Sequence, residues 1–169
     1  KGNKRQRVCK FNTKFFLMKI DISNLKQTES LGKQIGEFLI NFNGLAIFYL
    51  DGNLGTGKTT LVREILKAMG WQGAVKSPTF SILEEYQIAN KDVFHFDLYR
   101  LDSQNDFEML GIEINANSRG IFFIEWSHKI SKFNFGEEFF LKLSLSNRNR
   151  SIEFKTNNKK FLNCIDRIN

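Results

Sequence analysis

The apolar run Leu45–Leu50, LAIFYL, leads directly into Asp51–Thr60, DGNLGTGKTT, and then into LVREILKAMG. An unbroken apolar run of this length suits a strand buried on both faces. The segment after the glycines has helical character from Lys58 to Met69 and stops at Gly70, a residue suited to a helix C-terminus. Gly52, Asn53, Leu54, Gly55, Thr56, Gly57, Lys58 and Thr59 match G-x-x-x-x-G-K-[ST] at every specified position. Glycines allow backbone angles that turn successive N–H groups toward one anion. The helix that follows adds its positive N-terminal end. Lys58 is then placed to reach the outer phosphates of a nucleotide, and the Thr59 hydroxyl to ligate Mg²⁺.

Phosphoryl chemistry also needs a carboxylate to hold metal and a group to orient the nucleophile. Two apolar strands end in acids: DVFHFD at Asp97 and GIFFIE at Glu125. In an open α/β sheet, ligands bind beyond the carboxyl ends of the strands, which puts both acids on the side of the phosphate loop. One can hold Mg²⁺ while the other orients or deprotonates water; the residues alone leave the assignment open. Lys76–Phe80 contains the only proline, Pro78, which fixes an extended loop. Its hydroxyls, Ser77 and Thr79, suit a nucleotide-sensing switch segment.

Around these motifs the pattern reads as follows. Leu25, Leu31, Ile35, Phe38, Leu39 and Phe42 recur at helical spacing between Ser23 and Phe42, with Thr28 a candidate N-cap. Ser81–Ile88, Asp92–Phe96 and Gly120–Trp126 read as strands, and Asp102–Leu110 as a short helix before Gly111. Residues 138–155 read as a hairpin turning at Asn147–Asn149. Strands alternating with helices predict an α/β fold whose mixed central sheet is mainly parallel, with antiparallel additions.

Charge distribution limits the function classes. The chain of 169 residues carries a net charge of +7, and residues 1–17 hold six basic residues and no acid. The remainder has 19 basic against 18 acidic residues, so a domain-wide basic face for autonomous RNA binding is not supported. The composition changes at Met18, which predicts one domain over 18–169 and, over 1–17, a basic extension that is disordered or foreign to it. Its apolar stretch, FFLM, is too short for a secretory signal. No run is long enough to span a membrane. Cys9 and Cys164 form neither a disulfide framework nor a zinc spacing, so a reduced cytoplasmic setting is the expectation. The 18 Phe residues read as compositional bias rather than chemistry, and His95 as a packed structural histidine.

In order, DGNLGTGKTTL, VKSPTFSILEEY, HFDLYRL and IEW closely resemble the TsaE (YjeE) family of small bacterial ATPases that serve threonylcarbamoyladenosine synthesis on tRNA. The resemblance runs from about Thr28 to Trp126, with a looser match through the terminal hairpin. It implies a P-loop NTPase-like three-layer fold and Mg²⁺-dependent ATP hydrolysis. It also implies action on a TsaD–TsaB complex, with tRNA engaged only through that complex and no membrane involved. By the family pattern, Thr59 and Glu125 bind Mg²⁺, Asp97 assists hydrolysis and Ser77-Pro78-Thr79 is the switch. Lys58 and Thr60 complete the nucleotide loop, Thr28 lies near the base and Trp126 near the nucleotide; Arg150 matches a basic position more loosely. Ser127 stands where the family commonly has proline. Three other classes stay open: a small-molecule kinase, a nucleotide-gated binding module without significant hydrolysis, and an RNA binder that uses residues 1–17 as a basic arm. A GTPase is disfavoured because no N-K-x-D element is present.

Overall fold

Strand β3 (Leu45–Asp51) has six buried residues in succession, so it has no solvent face and must be covered on both sides. The computed structural model describes residues 10–11, 15–115, 117–147 and 149–166. In it, β3 lies between β6 (Gly120–Glu125) and β7 (Glu137–Ser146), parallel to both. β5 (Lys91–Asp97) extends this parallel centre beside β6. Antiparallel strands complete the edges: β4 (Leu83–Ile88) on one side, then β8 (Asn149–Thr156), β2 (Phe15–Asp21) and β1 (Lys10–Phe11) on the other. The order is β1-β2-β8-β7-β3-β6-β5-β4. This is the expected mixed sheet with a parallel centre.

Side-chain alternation divides the core into two layers. Ala46, Phe48 and Leu50 of β3 face α1 (Leu25–Ile40), α2 (Lys58–Met69) and α4 (Lys159–Ile165). Leu45, Ile47 and Tyr49 face the opposite layer, which contains α3 (Gln104–Met109). The phenylalanines have a packing role that composition does not reveal. Phe48 stacks on Phe139 with centroids 4.4 Å apart, and Phe161 of α4 sits 4.6 Å from Phe139. All three are fully buried, and each such ring contributes about 1.5–3 kcal/mol.

Several boundaries differ from the sequence reading. Thr28 does not cap α1. Asn24 does: its Oδ1 accepts from the Gln27 N–H at 2.9 Å, and the Gln27 side chain accepts from the Asn24 N–H at 3.0 Å. This reciprocal pair satisfies two backbone donors and moves the helix start ahead of Thr28, which is buried within the first turns. The domain limit proposed at Met18 falls inside β2, whose Phe16, Met18 and Ile20 pack on the helix-side core. Apart from Lys10, Phe11 and Phe15–Leu17, the expected extension lies outside the described residues. β4 begins at Leu83 rather than Ser81, because Ile82 has a left-handed backbone (φ 67°). Strand β2 and helix α4 have no counterpart in the sequence reading.

Helices α1 and α2 approach closely at two glycines. A Cβ on Gly32 would lie 2.5 Å from Glu64 Cβ and 2.9 Å from the Glu64 backbone carbon. Gly32→Ala would gain about 1 kcal/mol of helix propensity, but overpacking costs about 1–3 kcal/mol. The expected result in chemical denaturation is a net loss of about 1 kcal/mol, where an unhindered helix position would gain stability.

Candidate functional site

Parallel register brings the chemistry together. Asp97 at the end of β5 pairs with Glu125 at the end of β6, and Glu125 pairs with Leu50 of β3. The loop after β3 therefore begins in the same row as both acids. Gly52 has φ 149°, and a Cβ there would lie 2.5 Å from the Leu143 carbonyl oxygen, so only glycine fits. Gly57 at φ 103° starts α2 in a left-handed conformation, which glycine adopts without strain. Together they turn the chain from strand to helix and aim the α2 N-terminus over the acids.

The result is a cavity of 280 Å³. Leu54, Gly55, Gly57, Lys58, Thr59 and Thr60 line it from the loop and the first turn of α2. Asp97, Glu125 and Trp126 line it from the strand ends, Ser77 and Thr79 from the proline segment. Tyr99, just beyond the end of β5, is also a wall. Gly52, Asn53 and Thr56 shape the loop from behind: Lys58 Nζ donates to the Gly52 carbonyl at 2.7 Å and the Asn53 carbonyl at 3.2 Å, and the Thr56 hydroxyl donates to the same Asn53 carbonyl. Pro78 is buried beside the cavity rather than in its wall. Thr28 is not part of the lining, nor is the Arg100 guanidinium, which lies over the exposed Phe80 ring at 4.2 Å.

Two polar networks meet there. The Thr59 hydroxyl donates to Glu125 Oε1 at 2.8 Å. Ser77 and Thr79 both donate to Asp97 Oδ2, at 2.8 and 2.6 Å, and the Tyr99 N–H donates to Oδ1 at 3.0 Å. Asp97 and Glu125 are 3% and 2% exposed, so these bonds replace most of their solvation. Lys58 sits over the Trp126 ring, 4.2 Å from its centroid. Burial pushes its ammonium below the ordinary lysine value, and Glu125, Asp97 and Asp51 pull the other way.

Trp126 has a left-handed backbone, φ 59° and ψ 39°, a conformation that costs a non-glycine residue about 1–3 kcal/mol. Its N–H bonds the Leu50 carbonyl, and Ser127 then opens a 3-10 turn, Ser127–Lys129. The His128 N–H and ring Nδ1 both meet Asp51 Oδ1, at 3.1 and 2.9 Å, fastening this turn to the start of the loop. The residue whose place is least evident from sequence is His95. It is fully buried, with Nε2 2.8 Å from Glu125 Oε1. Its spacing two residues before Asp97 was the available signal, but that becomes informative only once β5 and β6 are known to be neighbours.

The family model described as threonylcarbamoyl adenosine biosynthesis protein TsaE matches residues 22–156. The chain belongs to the TsaE family. It is 47% identical over 100 residues to the tRNA threonylcarbamoyladenosine biosynthesis protein TsaE of Haemophilus influenzae, covering 58% of this chain and 63% of that one. The TsaE of Rickettsia felis is 37% identical over 110 residues, with 64% and 62% covered, and that of Bacillus subtilis 31% over 109, with 64% and 66% covered. The chain thus spans somewhat less than two thirds of the length of these relatives. The crystal structure of Bacillus subtilis YdiB superposes with a TM-score of 0.65 at 18% identity, over 93% of this chain and 97% of that one, which establishes a shared fold. Among the described residues no helix is long and apolar enough to cross a membrane.

The lowered Lys58 value has a measurable consequence. A triphosphate placed beside the ammonium favours its charged form and raises its pKa. Where the lowered value leaves part of the Lys58 population uncharged, binding therefore moves a proton. In buffer near that value, binding takes one up. Calorimetry in buffers of different ionisation enthalpy should show this uptake in the wild type and not in Lys58→Met.

Proposed function

We propose that this chain is an Mg²⁺-dependent ATPase that serves tRNA threonylcarbamoyladenosine modification as an accessory to a TsaD–TsaB complex. The observation that carries the reading is the convergence of Thr59, Glu125 and Asp97 at the mouth of the phosphate loop. Family membership supplies the pathway.

The residues fit a nucleotide with its metal. Loop N–H groups and the α2 N-terminus receive the phosphates, and Lys58 leaves its carbonyl partners to pair with the outer phosphate oxygens. The Thr59 hydroxyl and Glu125 carboxylate, already 2.8 Å apart, are oxygen donors of the kind Mg²⁺ takes, with water and phosphate filling its remaining positions. Bound there, Mg²⁺ would neutralise charge on the β- and γ-phosphate oxygens. Asp97 takes the other role. Its carboxylate accepts a hydrogen bond from the attacking water and aligns it with the γ-phosphorus.

Asp97 Oδ2 already accepts two hydroxyls, from Ser77 and Thr79. A shift of the switch segment would free that oxygen for the water, so hydrolysis rises when nucleotide or partner draws those hydroxyls away. This favours an activity that depends on partners over a constitutive one. A kinase would need a basic lid over the cavity, and the Arg100 side chain is engaged on Phe80 instead.

Phosphate release from ATP, measured with and without TsaD and TsaB, tests the reading. Mg²⁺-dependent release that rises on adding both proteins is expected; its absence under both conditions would overturn it. Asp97→Asn should lower the stimulated rate about 10²–10⁴-fold while ATP still binds. Retained partner regulation in that variant would instead favour a nucleotide-gated binding module.

A further inference from the structure

We propose that His95 is the positioning residue for Glu125: its Nε2–H holds Oε1 so that the carboxylate is presented to Mg²⁺ in one orientation. This rests on the reading above that Glu125 and Thr59 hold the ion.

Strand alternation puts His95 where it can do this. Val93, His95 and Asp97 share the α2-facing side of β5, as Ile121, Phe123 and Glu125 do on β6. In the parallel register, His95 pairs with Phe123 and Asp97 with Glu125. The imidazole therefore sits one step below the row of acids, with the Glu125 carboxylate folded back over it at 2.8 Å.

A histidine is an expensive choice for that position. It is 0% exposed and its strand neighbours Val93 and Phe123 are fully buried apolar residues. Its Nδ1 is buried and has no hydrogen-bond partner among the described residues. An aromatic or aliphatic residue would pack there without leaving a polar atom unpaired. The bond to Glu125 is what the histidine adds.

The same two facts assign the proton. A hydrogen on Nδ1 would be a buried donor facing no acceptor. A hydrogen on Nε2 alone gives Glu125 a donor and leaves only a lone pair unpaired. With that arrangement Oε1 accepts from both Thr59 and His95, which fixes the side chain, and Oε2 remains uncommitted among the described residues. Outer partners of this kind orient metal ligands, and their loss commonly lowers metal affinity 10–100-fold. His95 makes no contact with the cavity itself, so its effect passes through Glu125.

The test compares ATP affinity with and without Mg²⁺ in the wild type, His95→Phe and His95→Gln. Phenylalanine keeps the ring volume and removes the donor; glutamine places an amide N–H near the position of Nε2. The expected result is an Mg²⁺ enhancement of ATP affinity that falls about tenfold in His95→Phe and recovers in His95→Gln, with Mg²⁺-free affinity unchanged in both. An undiminished enhancement in His95→Phe would overturn the positioning role while leaving the ATPase reading intact. A wild type whose ATP affinity ignores Mg²⁺ would overturn both. A second readout needs no nucleotide: imidazole ¹⁵N shifts of the ligand-free protein should show a hydrogen on Nε2, and a bare Nε2 would overturn the assignment.

Discussion

The register between β5, β6 and β3 is the constraint on which the site depends. Asp97, Glu125 and Leu50 stand in one row, and the loop that follows Leu50 starts from there. Side chains alternate with a period of two, so a slip of one residue would send an acid to the opposite face of the sheet. The register is held by apolar contacts below that row. Phe48 packs 5.1 Å from Phe123 on the helix side, and Phe94 stacks 4.7 Å from Phe122 on the other. A one-residue shift would place these rings against the wrong layer. Core packing thus sets the position of groups that have no apolar reason to be together.

Bringing Lys58, Asp97, Glu125 and His95 into one buried region carries an electrostatic cost. Burial of a charge is tolerated when it is paired and hydrogen-bonded. Each carboxylate accepts at least two hydrogen bonds here, and Lys58 donates to two carbonyls. The compensation for Lys58 is incomplete, as its lowered pKa shows. A phosphate chain would supply the missing negative charge. Trp126 adds backbone strain at the same place. The site therefore holds an under-compensated cation that an anionic ligand can relieve beside a strained backbone, an arrangement expected of a binding site rather than of a core built for stability alone.

The strand, loop and helix around Lys58, and the acids at two strand ends, were legible because each is encoded locally: an apolar run, a glycine spacing, a charge at a boundary. What escaped the sequence depends on distant partners. β2 looks like the end of a basic tail until Phe16, Met18 and Ile20 find the core through β8. α4 is only seven residues long, too short for periodicity to declare itself, and is fixed by Phe161 inserting among Phe48, Phe139 and Phe154. Thr28 was a plausible cap until the reciprocal bonds of Asn24 and Gln27 claimed the helix start. His95 looks structural in the sequence for the same reason: nothing local announces that the neighbouring strand carries Glu125.

The two acids end adjacent strands in the same register, yet their surroundings divide their labour. Glu125 is held by one residue of the phosphate loop and one of the core, Thr59 and His95, and neither belongs to the proline segment. Asp97 is held mainly by that segment, through Ser77 and Thr79. Movement of residues 77–79 would therefore change the bonding of Asp97 directly, and reach Glu125 only through the longer 3.4 Å contact between Ser77 and the Thr59 hydroxyl. On the proposed reading, the metal-holding carboxylate stays fixed while the water-handling one responds to the switch. Nucleotide binding and hydrolysis are then separable in this fold, because they rest on carboxylates anchored to different parts of the chain.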